Sequence, residues 1–262
     1  PTMRIGMVTY NLAKDWDVAT IIRNCEEAQF QGVELRATHA HGVEVTLNKE
    51  QRAAVKRQFQ NSKVELTSLG SAFDYHTPDQ AKLRQDIEAT KEYIILAQDV
   101  GATGVKVRPN GLPDGVPVEK TLEQIGKAAR QVAVFSEGIG VKVRIEVHGK
   151  GTSEPKNMRT ILDHAGHPYV VACWNSNAQD MDENKSIAAN FDLLKNTIEH
   201  VHVNEIGVYQ YPWQDLFNRL KAMNYDGWCL AEIAYNPEPE RFMKFYRTLF
   251  DLYTGNYAWP KP

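Results

Sequence analysis

The sequence predicts a single-domain α/β protein that closes into a (β/α)8 barrel, and three observations predict it. Eight short apolar runs rich in Val and Ile recur along the 262 residues, each is followed by a segment of helical periodicity, and the length suits one such barrel. Parallel strands covered on both faces read as near-continuous apolar runs, which is the pattern here. The competing arrangement, an open doubly wound sheet, would carry a G-x-G-x-x-G turn after its first strand. In its place the chain runs Tyr10-Asn11-Leu12-Ala13-Lys14. A second domain is unnecessary, so residues 1–262 are read as one unit.

The elements follow in order. A first strand over 4–9 leads to a helix over 18–30, capped by Asp17 and stopped before Gly32. After a strand over 33–35, Asn48 caps the second helix. A third strand over 64–69 precedes Thr77-Pro78, which places proline in the first turn of a long helix ending at Val100 before Gly101. The remaining strands are expected over 105–107, 141–147, 169–174, 200–203 and 228–233. Their helices are expected over 119–136, 157–164, 183–194, 213–223 and 239–253. Pro- and Gly-rich segments at 109–117 and 149–155 fall where strand-to-helix loops belong, on the face where barrel enzymes build their sites.

Composition narrows the function classes. With 30 basic and 33 acidic residues the net charge is −3, which gives no overall attraction to nucleic acid or to an anionic membrane. No run of about 18 apolar residues exists to span a bilayer. The opening Pro-Thr-Met-Arg contains no apolar signal segment, so a cytoplasmic location is expected unless an export leader has been removed. Cys25, Cys173 and Cys229 are odd in number and widely spaced, which reads as reduced, buried thiols.

Four polar residues end four successive apolar runs: Glu146, Asn175, His202 and Glu232. Side chains two apart on a strand share a face, so Glu146 and His148 point together, as do His200, His202 and Asn204. If these ends face the lumen, Glu146, His202 and Glu232 converge. Two neighbouring buried carboxylates repel, and a bound cation relieves that repulsion, so the three are read as metal ligands. Asn175 has no charge, and it reads equally as a ligand or as a polar lining residue.

These residues resemble the xylose-isomerase-like sugar phosphate isomerase/epimerase superfamily of TIM barrels. That superfamily includes ketose 3-epimerases, inosose dehydratases and, more distantly, apurinic endonucleases. The resemblance runs from the Met-Arg-Ile-Gly-Met-Val start to the last Glu-bearing strand. It implies a divalent metal (Mn, Mg, Co or Zn) held by Glu146, Asn175, His202 and Glu232. Asn175 stands where the family usually has Asp, and a family His a few residues further on is replaced within Asn177-Ala178-Gln179, with Asp180 near enough to restore a charge. The resemblance also implies Glu146 and Glu232 as the catalytic pair, exchanging a proton at a carbon alpha to a carbonyl.

Further residues fall on the catalytic side. Glu34 and Arg36 end the second strand, His39 and His41 follow in Thr-His-Ala-His-Gly, and His148 lies two residues beyond Glu146. Glu34, His39, His41, His148 and Lys106 are the candidate substrate-binding residues. For Lys106 and Arg108 a salt bridge to Glu34 or Glu146 is the simpler expectation, and Tyr209, Tyr211 and Trp213 suit either a sugar face or a dimer contact. Three readings stay open: a metal-dependent isomerase or epimerase of a keto-sugar, a lyase or hydratase of an oxidised sugar or glycoside, and a metal-free carbohydrate-binding barrel. A repair nuclease is disfavoured, since that branch needs many histidines and a basic groove and this chain has 8 histidines. The expected partner is a small carbohydrate, with no nucleic acid, no membrane and a possible homo-oligomer.

Overall fold

The computed structural model describes residues 2–207 and 209–258. Its strands are β1 (Arg4–Val8), β2 (Gly32–Arg36), β3 (Glu65–Asp74), β4 (Gly104–Arg108), β5 (Lys142–Glu146), β6 (Val170–Trp174), β7 (Ile198–Val203) and β8 (Trp228–Ala231). All pair in parallel, each with the next, and β8 pairs with β1 to close the barrel. The helices are α1 (Val18–Glu27), α2 (Lys49–Gln60), α3 (Gln80–Val100), α4 (Val118–Glu137), α5 (Pro155–Ala165), α6 (Ala188–Leu194), α7 (Trp213–Ala222) and α8 (Pro239–Thr254). No helix among the described residues is long and apolar enough to cross a membrane.

Several element boundaries differ from their sequence-based positions, β3 for one running on to Asp74, and three of the differences have a clear local reason. The first is the start of α3: Asp79 takes the cap, its Oδ1 accepting from the amides of Ala81 and Lys82 at 3.0 and 3.2 Å, so Pro78 precedes the helix rather than entering it. At α6 the start slips to Ala188 because the Asp182 carboxylate captures the amides of Asn184 and Ser186 at 2.8 and 3.0 Å, which stabilises a turn in place of helix. The third change is at α1, which ends at Glu27 instead of reaching Phe30, and Gln29 turns the chain with φ of 59°. The cap of α2 is as expected, with Asn48 and Gln51 forming a reciprocal capping box.

Apolar side chains divide into two bodies. Most, including Ile5, Met7, Val33, Leu35, Val105, Ile145 and Val201, face the helices and form one continuous shell. Each contributes about 1.5–3 kcal/mol when fully buried. The three cysteines are buried free thiols. Inside the barrel a small cluster of Val8, Trp228 and Leu230 is apolar, with Tyr10 packed on it.

Much of the lumen is polar. Strand register sets Val8 beside Glu34, Glu34 beside Ser68, Lys106 beside Arg144, Glu146 beside Cys173 and His202 beside Leu230. Arg144 lies in the lower lumen, donating to the Thr67 carbonyl at 2.9 Å and the Thr103 hydroxyl at 3.0 Å. It fits only because Gly104 has no side chain, since a Cβ there would fall 2.2 Å from Arg144 Nη1. Below it, Trp228 closes the floor, with the Arg4 guanidinium 4.0 Å from its ring centroid.

The loop after β6 is held from within by Asp180, which is fully buried. Its Oδ2 accepts from the Tyr211 hydroxyl at 2.6 Å and from the Asn177 amide at 2.8 Å, while Oδ1 has no partner. Burial pushes its carboxyl from the ordinary 3.8 up to about 7, against the pull of those two donors.

Two stability predictions follow from these buried groups. Because the folded Asp180 holds a proton that the unfolded chain has released, its contribution to stability is lost as pH rises from about 4 to 7. Asp180→Asn should therefore unfold at higher denaturant than wild type at pH 8, by about 2 kcal/mol or more, with the difference vanishing below about pH 4. Gly104→Ala should cost about 3 kcal/mol in the same unfolding measurement, combining overpacking with the loss of charged hydrogen bonds from Arg144.

Candidate functional site

The C-terminal ends of the strands deliver the polar residues to one point. Glu146 is the last residue of β5, His202 lies within β7, and Asn175 and Glu232 come one residue after β6 and β8. The Glu232 amide still donates to the Val203 carbonyl at 2.8 Å, so the residue is held as a continuation of the strand. Around His202 Nδ1 lie Asn175 Oδ1 at 3.2 Å, Glu146 Oε2 at 3.3 Å and Glu232 Oε2 at 3.3 Å. One ring nitrogen carries at most one proton, so three oxygens facing it are more than a hydrogen bond can use. Glu146 Oε2 is buried and makes no hydrogen bond at all.

The opposite side of the imidazole is fixed by Glu34. His202 Nε2 is 3.1 Å from Glu34 Oε1, and both side chains are fully buried. A carboxylate behind one ring nitrogen holds a proton on that nitrogen, so Nδ1 is the nitrogen that gives up its proton to a cation and its lone pair is then directed at the oxygen cluster. Glu34, expected at the substrate, thus sits behind His202 as well as on the pocket wall. No local sequence signal could reveal this, since β2 and β7 are far apart in the chain.

Asn175 is oriented just as firmly. Its Nδ2 donates to Asn177 Oδ1 at 2.9 Å, and Asn177 in turn donates to the Val147 carbonyl and is held through its backbone amide by Asp180. The amide oxygen of Asn175 is thereby turned toward His202. Asp180 does not enter the site to supply a charge; it braces the loop from behind.

The electrostatics are set by burial and by two lumen cations. Burial raises the Glu146 carboxyl, but the Lys106 ammonium 3.6 Å away and then His202 outweigh it and hold the group well below the usual carboxylate range. Burial likewise raises Glu34, and His202 and Lys106 reverse the sign. His202 is displaced upward, burial being overcome by Cys173, Glu232 and Glu34, so that without a cation its ring stays protonated. His200, one pleat lower, has neither ring nitrogen bonded, and burial together with Arg144 keeps it neutral.

These groups open onto a pocket of about 210 Å³ lined by Tyr10, Glu34, Arg36, Lys106, Glu146, His148 and Glu232 among others. Lys106 therefore both lines the pocket and pairs with Glu146, and Arg108 lines it too while lying 3.9 Å from Asp74. His148 presents Nε2 to the pocket, 4.0 Å from Glu146 Oε1, and its Nδ1 is bonded to Asn110 Oδ1 at 2.9 Å. Tyr10, which sequence reading passed over, also lines the wall, 5.1 Å beneath the Arg36 guanidinium.

The structure does not bring His39 and His41 to this pocket. His39 Nδ1 is bonded to the Thr9 hydroxyl at 2.9 Å. His41 spends both nitrogens on its own loop, accepting from the Val43 amide at 2.9 Å and donating to the Arg36 carbonyl at 2.6 Å. Nor are Tyr211 and Trp213 stacking surfaces. Both are buried, Tyr211 between Trp174 and Asp180, and of the three aromatics only Tyr209 is exposed. A separate cavity of about 310 Å³, among Lys56, Phe59, Val64 and Val100, lies at the N-terminal ends of the strands and contains none of the candidate residues.

The residues fit a divalent cation. Ligand atoms of Glu146, His202 and Glu232 lie within 4.8 Å of one another, and Asn175 adds a fourth oxygen. Two carboxylates, one imidazole and an amide oxygen form a mixed N/O donor set suited to Mn, Mg, Co or Zn.

Comparison with known proteins agrees with this architecture. No curated protein matches the chain in sequence. Among solved structures, the 3-keto-D-glucoside 4-epimerase of E. coli superposes with a TM-score of 0.77 at 16% identity, covering 97% of this chain and 100% of its own. D-psicose 3-epimerase of Clostridium cellulolyticum gives 0.81 at 14% identity, with 96% and 99% covered. A zinc-bound IolI protein gives 0.78 at 14%, with 98% and 99% covered. The family model described as xylose isomerase-like TIM barrel matches residues 22–247, and the chain belongs to that family.

Proposed function

We propose that the protein is a metal-dependent isomerase or epimerase of a keto-sugar. The observation that carries this reading is the convergence of two carboxylates, an amide oxygen and a tautomer-fixed imidazole at the mouth of a small polar pocket. Support also comes from the similar barrels, whose names describe epimerases of a keto-glucoside and of psicose, and from the zinc in the IolI structure. That chemistry requires removal and return of a proton at a carbon next to a carbonyl.

Glu146, Asn175, His202 and Glu232 would hold the ion, which when bound polarises the substrate carbonyl and stabilises the enediolate. This chain's own groups do the rest. Glu146 and Glu232 each direct Oε2 toward His202 and line the pocket, so each has a second oxygen with which to take or return a proton. Lys106 keeps Glu146 ionised at the start of the cycle. Glu34 stops the imidazole from turning, and the pocket volume restricts access to a substrate of about one sugar ring.

Replacing Glu146 or Glu232 by Gln should leave the fold intact and lower proton exchange at least about a hundredfold. Deuterium uptake from D2O at the carbon beside the carbonyl, followed by NMR across a panel of ketoses, measures it. A fully active Glu232→Gln protein would place the chemistry elsewhere.

Metal affinity tests the ligand set. Asn175→Asp adds a charge worth about 4 kcal/mol next to the ion at an effective dielectric near 20. It also removes the donor to Asn177 Oδ1, leaving two oxygens facing each other unless Asn177 rotates and abandons the Val147 carbonyl, a cost of about 1–3 kcal/mol. Attraction wins, and calorimetric titration should show Mn or Mg binding about fivefold tighter or more in Asn175→Asp, while mild chelation strips wild type. No binding in either form would leave a metal-free carbohydrate pocket as the reading.

A further inference from the structure

The pocket of about 210 Å³ at the metal ligands is smaller than the roughly 300–1,000 Å³ of sites that enclose larger ligands. On the same rim of the barrel is a groove about three times as large, about 640 Å³, walled by His76, Pro78, Asn110, Leu112, Asp114 and Lys150. None of these residues takes part in the chemistry described above.

The two spaces are neighbours that meet at the hydrogen bond between Asn110 and His148. Asn110 Oδ1 meets His148 Nδ1 at 2.9 Å, and His148 lines the reaction pocket, while Asn110 itself lines the groove. Its Nδ2 donates to Asp74 Oδ2 at 3.2 Å, and Asp74 Oδ1 is 3.4 Å from His76 Nδ1 on the far wall. A continuous polar line therefore runs from His148, beside the catalytic carboxylates, into the groove.

The groove has a backbone shaped for it. Asn110 has φ of 65°, and Gly149 and Gly151 have φ of 97° and 79°. A Cβ on Gly149 would fall 2.6 Å from Asn110 Cα, and one on Gly151 would fall 2.4 Å from Leu112 Cδ1. The loops after β4 and β5 thus press together in a conformation that costs about 1–3 kcal/mol at a non-glycine left-handed residue. Such a shape persists only where the surroundings impose it.

Its chemistry suits a ring. Pro78 and Leu112 offer apolar surface, and His76, Asn110, Asp114 and Lys150 offer donors and acceptors around it. One lysine faced by one aspartate makes no anion cradle, which argues against a phosphate. A sugar or an aryl ring, apolar on its face with polar or bare edges, is the matching class.

We propose that this groove is a second subsite and that the substrate is a glycoside, its keto-bearing ring in the reaction pocket and its other unit, sugar or aryl, between His76 and Lys150. The proposal rests on the keto-sugar reading of the reaction pocket. The test uses the intact protein with four probes: a free ketohexose, a 3-keto hexoside as its methyl glycoside, the same as its phenyl glycoside, and the same as a disaccharide. Titration calorimetry should show the phenyl glycoside or the disaccharide binding at least about tenfold tighter than the methyl glycoside, and which of the two gains identifies the second unit. Lys150→Trp and Asp114→Trp, both substitutions at exposed positions, should abolish that ratio by filling the groove. Equal affinities for the three glycosides, or a ratio that survives both substitutions, overturns the subsite while leaving keto-sugar binding in place. Failure of every probe to bind overturns the subsite and the functional reading together.

Discussion

The hydrogen bond between Glu34 and His202 is the constraint on which the rest of the site depends. It joins β2 to β7 across the lumen, holds a proton on one ring nitrogen, and aims the other at Glu146, Glu232 and Asn175. A rotated or inverted imidazole would place a proton where a cation belongs. Carboxylates behind metal-binding histidines serve this purpose widely, and here the carboxylate is itself buried, so it cannot be replaced by water.

Such an arrangement is costly, because charges taken out of water lose several kcal/mol each unless paired. The lumen holds the carboxylates of Glu34, Glu146 and Glu232 against Lys106, Arg144 and a protonated His202, and once His202 gives up a proton to become a ligand one negative charge is in excess. A dication reverses that excess. The fold tolerates the polar lumen because its cohesion comes from the apolar shell between strands and helices, where Ile5, Met7, Val33, Ile145 and Val201 are packed. Stability and chemistry thus rest mainly on different layers, although a tightly packed lumen position such as Gly104 still bears on stability.

The loops extend the same division. Asp180, Asn177 and Asn175 form a braced line on one side of the site, and Asp74, Asn110 and His148 form another beside Glu146. In both, an asparagine passes orientation along, since its amide has a distinct donor end and acceptor end. A carboxylate in place of Asn175 would require its neighbour Asn177 to turn its own amide.

The sequence by itself determined the barrel, because strand and helix periodicity, the caps at Asp17 and Asn48 and the glycine after Val100 are local properties. It also placed Glu146, His202 and Glu232 at strand ends, and the pleat fixed which way each pointed. What only the tertiary structure decided is who meets whom. Glu34 was legible as a strand-end acid but not as the partner of His202, since that contact spans 168 residues. His39 and His41 looked like pocket residues by spacing, yet hydrogen bonds within and beside their loop claim them. Tyr211 and Trp213 read as surface aromatics, and burial against Trp174 and Asp180 made them core. Periodicity reports the direction of a side chain relative to its own element. The partner it finds depends on how far apart in the chain the elements are that barrel closure brings together.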